Sequence, residues 1–514
     1  MDRKKTKGSE KEERRKNKIT EVKPFPVPFA LGEIKTNITI NTNTRSKPSK
    51  EQIIDQAFRF HSQGNTLEAA KYYQYFIDQG FNEPRVYSNY GAISQGQGKS
   101  KKAEVLYRKA IEIKPDFADA HYNLANLLQA IGKLQEAEVL YRKAIEIKPD
   151  YTDAHLNLGN LLKDISKLQE AELSYRKSIE IKPDYAQAHL NLGIILRDLG
   201  KLEEAELYTR KAIEINSDSP DNYLILGSIL ELNNKLKEAK NSFTKAQLLK
   251  PDLDMYMGFA SLYLKEKKPQ NALILIDKFL EKNQSDTRAL AYKTIALRGV
   301  NKFDEFNKLI NFPKLVKKIY SQNLIKEDIF EFNKKFRNSL LVDPRRKTEE
   351  NQIGWAIRGG TVIRALFEDM SNPFISQFHR MLSQAIEIYI KDLPVDFDHP
   401  FLRKQIDQAS IDNCWVNFLE PGDFQSNHIH NNGWLSGVYY LDEPKVEKNK
   451  SNAGWIEFNR SGYKLPHFGG EKEIKLIKPK VGMFILFPSY LWHGTIPYKA
   501  AYTRGSISFD ITIK

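Results

Sequence analysis

From Glu51 to about Glu305 apolar residues return every three or four positions, the spacing that lines one face of an α-helix, and the pattern itself repeats every 34 residues. The run Ala103-Glu104-Val105-Leu106-Tyr107-Arg108-Lys109-Ala110-Ile111-Glu112-Ile113-Lys114-Pro115-Asp116 recurs almost unchanged from Ala137 to Asp150 and again from Ala171 to Asp184. Two amphipathic segments and a Pro-Asp break per period predict helix-turn-helix units stacked into a solenoid, roughly seven of them, forming a curved rod with a concave groove. Ala103, Ala137, Ala171, Ala205 and Ala239 mark where the two helices of a unit approach most closely, and Tyr107, Tyr141 and Tyr175 fill the space beside them. Pro115, Pro149, Pro183 and Pro251 end the second helices.

After Glu305 the period is lost, and Phe312-Pro313 marks a boundary. The segments Thr361 to Glu368 and Phe374 to Tyr389 read as helices that pack outside a sheet. From about Ser410 the pattern becomes that of short strands: Cys414 to Leu419, Leu435 to Leu441, Gly454 to Phe458, Ile474 to Ile477, Met483 to Phe487 and Ser506 to Ile513, separated by Pro-Gly, Asn-Gly and Asp-Glu-Pro turns. Such spacing predicts a sandwich or barrel. On the last strand Arg504, Ser506, Ser508 and Asp510 share one face and Ile507, Phe509 and Ile511 the other. The polar face either lines a site or is a half-exposed strand surface, and taken alone the second reading is favoured.

The fold class is therefore multidomain α + β. Residues 1–50 are expected to be a disordered basic tail, with Phe25 to Phe29 within it either a docking segment or a sticky linker, the second reading being favoured. Residues 51–305 form the repeats, and residues 312–514 a separate β domain with flanking helices. Among 514 residues, Lys and Arg exceed Asp and Glu by 79 − 65 = 14, a diffuse excess that reads as a solvated surface rather than a nucleic-acid or membrane patch. The single cysteine, Cys414, excludes an internal disulfide and any cysteine-rich zinc site, so histidine must carry metal binding. No run of about eighteen apolar residues occurs, and Met1-Asp2-Arg3-Lys4-Lys5 has no apolar stretch behind it. A reducing, cytoplasmic location is expected.

The 34-residue units resemble the tetratricopeptide repeat family. His121, His155 and His189 recur at one register that Tyr87 and Tyr223 also occupy, which makes them structural rather than metal-binding. Asn89, Asn123, Asn157 and Asn191 form a second series, similar to an asparagine ladder in the repeats of O-linked N-acetylglucosamine transferases. An amide at one register either holds a protein or peptide partner in the groove or bridges neighbouring repeats. Nothing downstream resembles that transferase's catalytic half.

Chemistry concentrates in the last hundred or so residues. His428 and His430 lie two apart, so on an extended chain they project to one side and can share a metal. His493 follows the apolar strand Met483 to Phe487 and closes a facial arrangement, and Arg504-Gly505-Ser506 comes after it. With Trp415-Val416-Asn417, Pro421-Gly422-Asp423 and Leu435 to Tyr440, this order resembles a bacterial branch of the 2-oxoglutarate and iron(II) dependent oxygenases. The resemblance implies a double-stranded β-helix (a jelly-roll, cupin-like fold). It also implies iron held by His428 and His493, and an Arg504 fork on the far carboxylate of 2-oxoglutarate, with Ser506, Tyr440 and Asn417 beside it. Dioxygen would then hydroxylate a C–H bond while 2-oxoglutarate loses carbon dioxide to become succinate.

The usual motif has a carboxylate where this chain has His430. Three readings stay open: His430 is the third ligand, a carboxylate such as Asp423 or Glu457 reaches in (Asn432 being a weaker substitute), or the site has lost iron. The branch commonly carries His here, which favours His430. Function is thus expected to be a dioxygenase, a hydroxylase, whose repeats recruit a protein or peptide. The alternatives are a non-catalytic scaffold and a three-His cupin dioxygenase without 2-oxoglutarate, the last disfavoured by Arg504 and Ser506.

Overall fold

The computed structural model describes residues 48–348, 357–403, 406, 408–444, 452–497 and 503–513. The expected basic tail with its Phe25 to Phe29 segment lies outside the described residues, apart from its last three positions. The chain forms two compact units, residues 1–195 and 196–514.

The first unit consists of antiparallel helices: Lys50–Ser62, Thr66–Asp78, Pro84–Gly96, Ser100–Ile113, Ala118–Ala130, Leu134–Ile147, Thr152–Asp164, Leu168–Ile181 and the start of Ala186–Asp198. Its first helix is entered through a reciprocal capping box between Ser49 and Gln52. Ala103, Ala137, Ala171, Tyr107, Tyr141 and Tyr175 are all fully buried, as their register requires. Gly159 lets the Tyr175 ring approach the neighbouring helix, because a Cβ there would stand 2.6 Å from it. His121, His155 and His189 are structural, since their Nε2 atoms lie 2.9, 3.0 and 2.8 Å from the carbonyl oxygens of Pro115, Pro149 and Pro183. Each clips the turn between repeats by satisfying a carbonyl that the preceding helix leaves unbonded.

Tandem helices continue in the second unit: Leu202–Ile215, Pro220–Leu232, Leu236–Leu249, Tyr256–Lys265, Pro269–Lys282, Thr287–Gly299 and Phe303–Ile310. Among the described residues the tandem array has sixteen helices, or eight pairs. Beyond them lie β1 (Lys317–Tyr320), β2 (Lys347–Thr348), β3 (Ile357–Arg358), β4 (Thr361–Ile363), β5 (Ala409–Leu419), β6 (Phe424–Gln425), β7 (Leu435–Tyr440), β8 (Ile456–Phe458), β9 (Lys475–Ile477), β10 (Met483–Pro488), β11 (His493–Thr495) and β12 (Arg504–Ile513). A seven-stranded sheet runs β1-β10-β7-β12-β5-β4-β2, a three-stranded sheet β11-β8-β9, and β3 pairs with β6. All pairings are antiparallel.

The helix expected over Thr361 to Glu368 is instead β4 followed by a 3-10 turn at Leu366–Glu368. Gly359 and Gly360, both at φ of 85°, turn the chain just before it, and the branched Thr-Val-Ile side chains suit a strand paired to β5 on one side and β2 on the other. The helix expected over Phe374 to Tyr389 is present as Pro373–Lys391, capped by Asn372, with Phe378 packed on Tyr439 and Phe484 of the sheet. The strand β1 was hidden in a polar stretch because it is a short edge, half exposed.

One hydrophobic core runs without a break from Met257 in the late repeats to Ile511 in β12. Helix Thr287–Gly299 is buried nearly all round, as a helix packed between two partners must be. The indole N–H of Trp492 donates to the carbonyl of Ala291 at 3.0 Å, and its ring stacks on Tyr292. The hydroxyl of Tyr490 donates to Leu309 at 2.8 Å, and buried Arg298 donates to the carbonyl of Asn459 at 2.9 Å and pairs with Glu473. The last repeats and the β region thus share their interior.

Candidate metal centre

Local pairing explains why three histidines separated by 65 positions meet. The N–H of His428 donates to the carbonyl of His493 at 2.9 Å and that of His493 returns the bond at 3.1 Å, while the N–H of His430 donates to Ser489 at 3.1 Å. The extended segment 428–430 therefore lies antiparallel to the entry of β11, and alternation turns His428 and His430 to the same side. Nε2 of His430 lies 3.2 Å from Nε2 of His428 and 3.2 Å from Nε2 of His493.

The outer nitrogens fix the tautomers. Nδ1 of His428 lies 2.7 Å from the carbonyl oxygen of Ser426, Nδ1 of His493 lies 2.9 Å from that of Leu491, and Nδ1 of His430 lies 2.8 Å from the Asp510 carboxylate. All three acceptors lack a proton of their own, so each Nδ1 is the donor and each Nε2 lone pair points inward. One shared proton can bridge at most two of these nitrogens, whereas a cation serves all three. Imidazole–metal bonds of about 2.1 Å at angles near the tetrahedral or octahedral values separate nitrogens by about 3.0–3.4 Å, which the observed spacing matches.

Electrostatics favour the same state. Burial, reinforced by His430, pushes His428 down to about 3, and burial with both neighbouring imidazoles holds His493 well below the ordinary imidazole range. Both are thus neutral, as metal ligands must be. Burial alone would raise Asp510, but His430 and the Ser436 hydroxyl outweigh it and hold the carboxyl below its usual range. Ser436 donates to Asp510 at 2.7 Å and sits 2.7 Å from Ser489, so a buried polar chain fixes the carboxylate. Trp415 stacks on the His430 ring, and Phe458 and Phe487 pack against His493.

Among the described residues no carboxylate joins the histidine group. Asp423 accepts the N–H of Glu420 at 2.9 Å, and Glu457 accepts from Asn427 at 2.8 Å and Arg460 at 3.1 Å. Asn432 is exposed. The negative charge missing from position 430 reappears one hydrogen bond further out, on Asp510.

The polar face of β12 is buried, contrary to the solvated reading favoured for that strand in isolation, because β12 lies between β7 and β5 in the middle of the large sheet. Arg504, only 2 % exposed, donates to the carbonyl of Gly454 and stands 5.9 Å over the Tyr440 ring. Arg504, Ser506, Ser508, Tyr440, Gln425 and Thr495 line one small cavity with the three histidines. Asn417 pairs with Ser506 across the strands and donates to Ser508 at 2.9 Å, while its buried Oδ1 has no protein hydrogen-bond partner. A guanidinium, hydroxyls and an amide beside a tris-imidazole group suit a small dicarboxylate. Asp510 carried a sequence signal, its place on the polar face of β12, yet only the structure gives it a partner. The backbone acceptors Ser426 and Leu491 carried none.

The asparagine series is placed elsewhere. Asn157, 3 % exposed, donates to the Tyr122 hydroxyl and the Asn126 amide oxygen of the preceding repeat, both at 2.9 Å, and Asn191 donates to Asn160 at 2.8 Å. Asn89 and Asn123 reach Tyr73 and Ser88 at 3.4 Å. These amides stitch repeats together, with Asn89, Asn123 and Asn191 remaining half-buried.

Models of the tetratricopeptide repeat match residues 96–132, 118–151, 140–172, 186–219 and 220–253, and the family described as "Putative 2OG-Fe(II) oxygenase" matches residues 413–510. Similar solved structures include YrrB, described as a TPR protein with an unusual peptide-binding site, at 21% identity over 36% of this chain and 95% of that one, with a TM-score of 0.33. Others are pilF of Pseudomonas aeruginosa, at 21% identity over 38% and 90% with a TM-score of 0.35, and MamA of Desulfovibrio magneticus RS-1, at 20% over 34% and 98% with a TM-score of 0.32. No curated protein matches the chain. Among the described residues no helix is long and apolar enough to cross a membrane.

Proposed function

We propose that the chain is an iron(II)- and 2-oxoglutarate-dependent hydroxylase whose repeats recruit a protein or peptide partner, with a double-stranded β-helix as its catalytic framework. The carrying observation is the convergence of three outward-anchored imidazoles in a cavity shared with a buried arginine. His428, His430 and His493 would hold iron(II), which when bound supplies activation of dioxygen. Arg504 clamps the far carboxylate of 2-oxoglutarate, with Ser506, Tyr440 and Asn417 lining its seat. The surrounding aromatics exclude water from the reacting groups. Overall, substrate C–H, dioxygen and 2-oxoglutarate give C–OH, succinate and carbon dioxide. The half-buried Asn89, Asn123 and Asn191 keep an edge available to a partner. A three-His dioxygenase without 2-oxoglutarate is the second reading, favoured by the absent carboxylate ligand and opposed by the buried Arg504.

The deciding experiment admits oxygen to anaerobically purified protein carrying iron(II) and 2-oxoglutarate and measures succinate. Succinate is expected at a slow, substrate-free rate. Iron binding with oxygen uptake but no 2-oxoglutarate consumption would favour the second reading.

Asp510→Asn tests the charge relocated from position 430. The amide can still accept from His430 but carries no charge, so iron(II) affinity measured by anaerobic titration is expected to fall by about 10–100-fold. Unchanged affinity would reduce Asp510 to a packing role.

A further inference from the structure

Gln425 and Thr495 line both the histidine cavity and a larger pocket of about 630 Å³. One wall of that pocket comes from the repeats. Leu232 and Glu231 end helix Pro220–Leu232, Ser261 and Lys265 belong to Tyr256–Lys265, and Tyr292 to Thr287–Gly299. Opposite them stand Phe424, Asn427, Glu457 and Tyr463 of the β region.

We infer that this pocket is the substrate seat, built jointly by the late repeats and the β region, and that it takes a polypeptide segment lacking basic side chains. The inference rests on the oxygenase reading for what happens at the histidines, though not for binding itself. The size falls within the range of about 300–1,000 Å³ typical of pockets that enclose a ligand. The histidine cavity beyond Gln425 and Thr495 is much narrower. An occupant that fills a wide seat and sends one slender branch inward is a peptide with a side chain directed at the metal.

Lining chemistry narrows the class. Lys265 Nζ lies 2.9 Å from Glu231, with side chains only 8 % and 16 % exposed, and Ser261 donates to the same carboxylate at 2.6 Å. Buried ion pairs add little stability over apolar residues of equal volume, so a recognition role explains this one better. Lys265 also donates to the Glu231 carbonyl at 3.3 Å, which leaves its ammonium a further N–H, and the Glu231 carboxylate retains acceptor positions. A donor and an acceptor side by side meet the C=O and N–H of a peptide unit. Leu232, Phe424, Tyr292 and Tyr463 offer apolar and aromatic surface to side chains. Lys265, Arg358 and Lys464 against Glu231 and Glu457 give the lining an excess of 3 − 2 = 1 positive charge, which repels Lys and Arg.

The test measures retention of two hexapeptide pools, one of uncharged residues and one with a central lysine, on the full chain, alongside substrate-free succinate formation. The uncharged pool should be retained at least tenfold better than the lysine pool. Leu232→Arg, which places a cation in the repeat wall, should lower that retention at least tenfold while changing succinate by less than twofold. Phe424→Ala on the opposite wall should lower it several-fold, and serves if the first variant misfolds. Succinate without any pocket-dependent retention, or equal retention of the lysine pool, would overturn the substrate seat and leave the oxygenase reading intact. Pocket-dependent retention without succinate would support the seat and overturn the oxygenase reading.

Discussion

His493→Ala is expected to abolish iron(II) binding and 2-oxoglutarate-dependent succinate formation together, with the protein still folded. Disturbing an outer partner of a metal-bound histidine typically weakens metal binding by about 10–100-fold, and losing the imidazole itself should exceed that. The fold should survive because His493 binds its neighbours chiefly through backbone bonds to His428, which alanine keeps. Truncation also relieves the crowding of three inward lone pairs. Anaerobic iron titration and a thermal melt would show the two effects separately. His430→Asp is expected to fail as well, although it restores the commoner ligand pattern. A carboxylate at that position would be buried close to Asp510, where two like charges resist ionising together, and it would forfeit the 2.8 Å bond that holds position 430 in place. Robust iron binding by His493→Ala would remove the metal reading. Full activity of His430→Asp would show that position 430 needs only some ligand, whatever its second partner.

A fragment of residues 312–514, the β domain delimited by the loss of sequence period, is expected not to fold, whereas residues 201–514 should unfold in one cooperative transition. Removing the late repeats would uncover Tyr490 and Trp492, and would strand their hydrogen-bonding groups without Leu309 and Ala291. It would also free Glu473 and the carbonyl of Asn459 from Arg298. Each large apolar side chain returned to water costs about 1.5–3 kcal/mol, and several such losses consume a domain stability of about 5–15 kcal/mol. Circular dichroism and calorimetry of the two fragments decide the matter. A well-folded 312–514 would support the boundary at Phe312.

The repeats were legible because a 34-residue self-similarity requires no knowledge of tertiary contacts, and Ala103 or Tyr107 reads the same in every copy. The strands of the sheets were legible for a similar reason, as the alternation along β12 and the apolar run of β10 are local. What stayed hidden depends on distant partners. Thr361 to Ile363 reads as a helix until β5 supplies an edge, and β1 reads as polar surface until β10 does. The histidines could be paired by spacing, whereas the partners of Asp423 and Glu457, which are Glu420 and Asn427, depend on the folded loops around them. The helix Thr287–Gly299 was harder to read as a repeat, since burial of both its faces erases the amphipathic signature.

The bond from Trp492 to Ala291 also bears on how such a chain can change length over generations. Duplicating or deleting a whole 34-residue period between Ala118 and Asp184 replaces one interface with a near copy of itself. The same event at Thr287–Gly299 would swap the helix that carries Ala291, Tyr292 and Arg298 for one without them, and the residue next to His493 would lose its support. Growth and shrinkage of the array are thereby confined to its early copies, while the last pairs travel as a fixed piece of the β region.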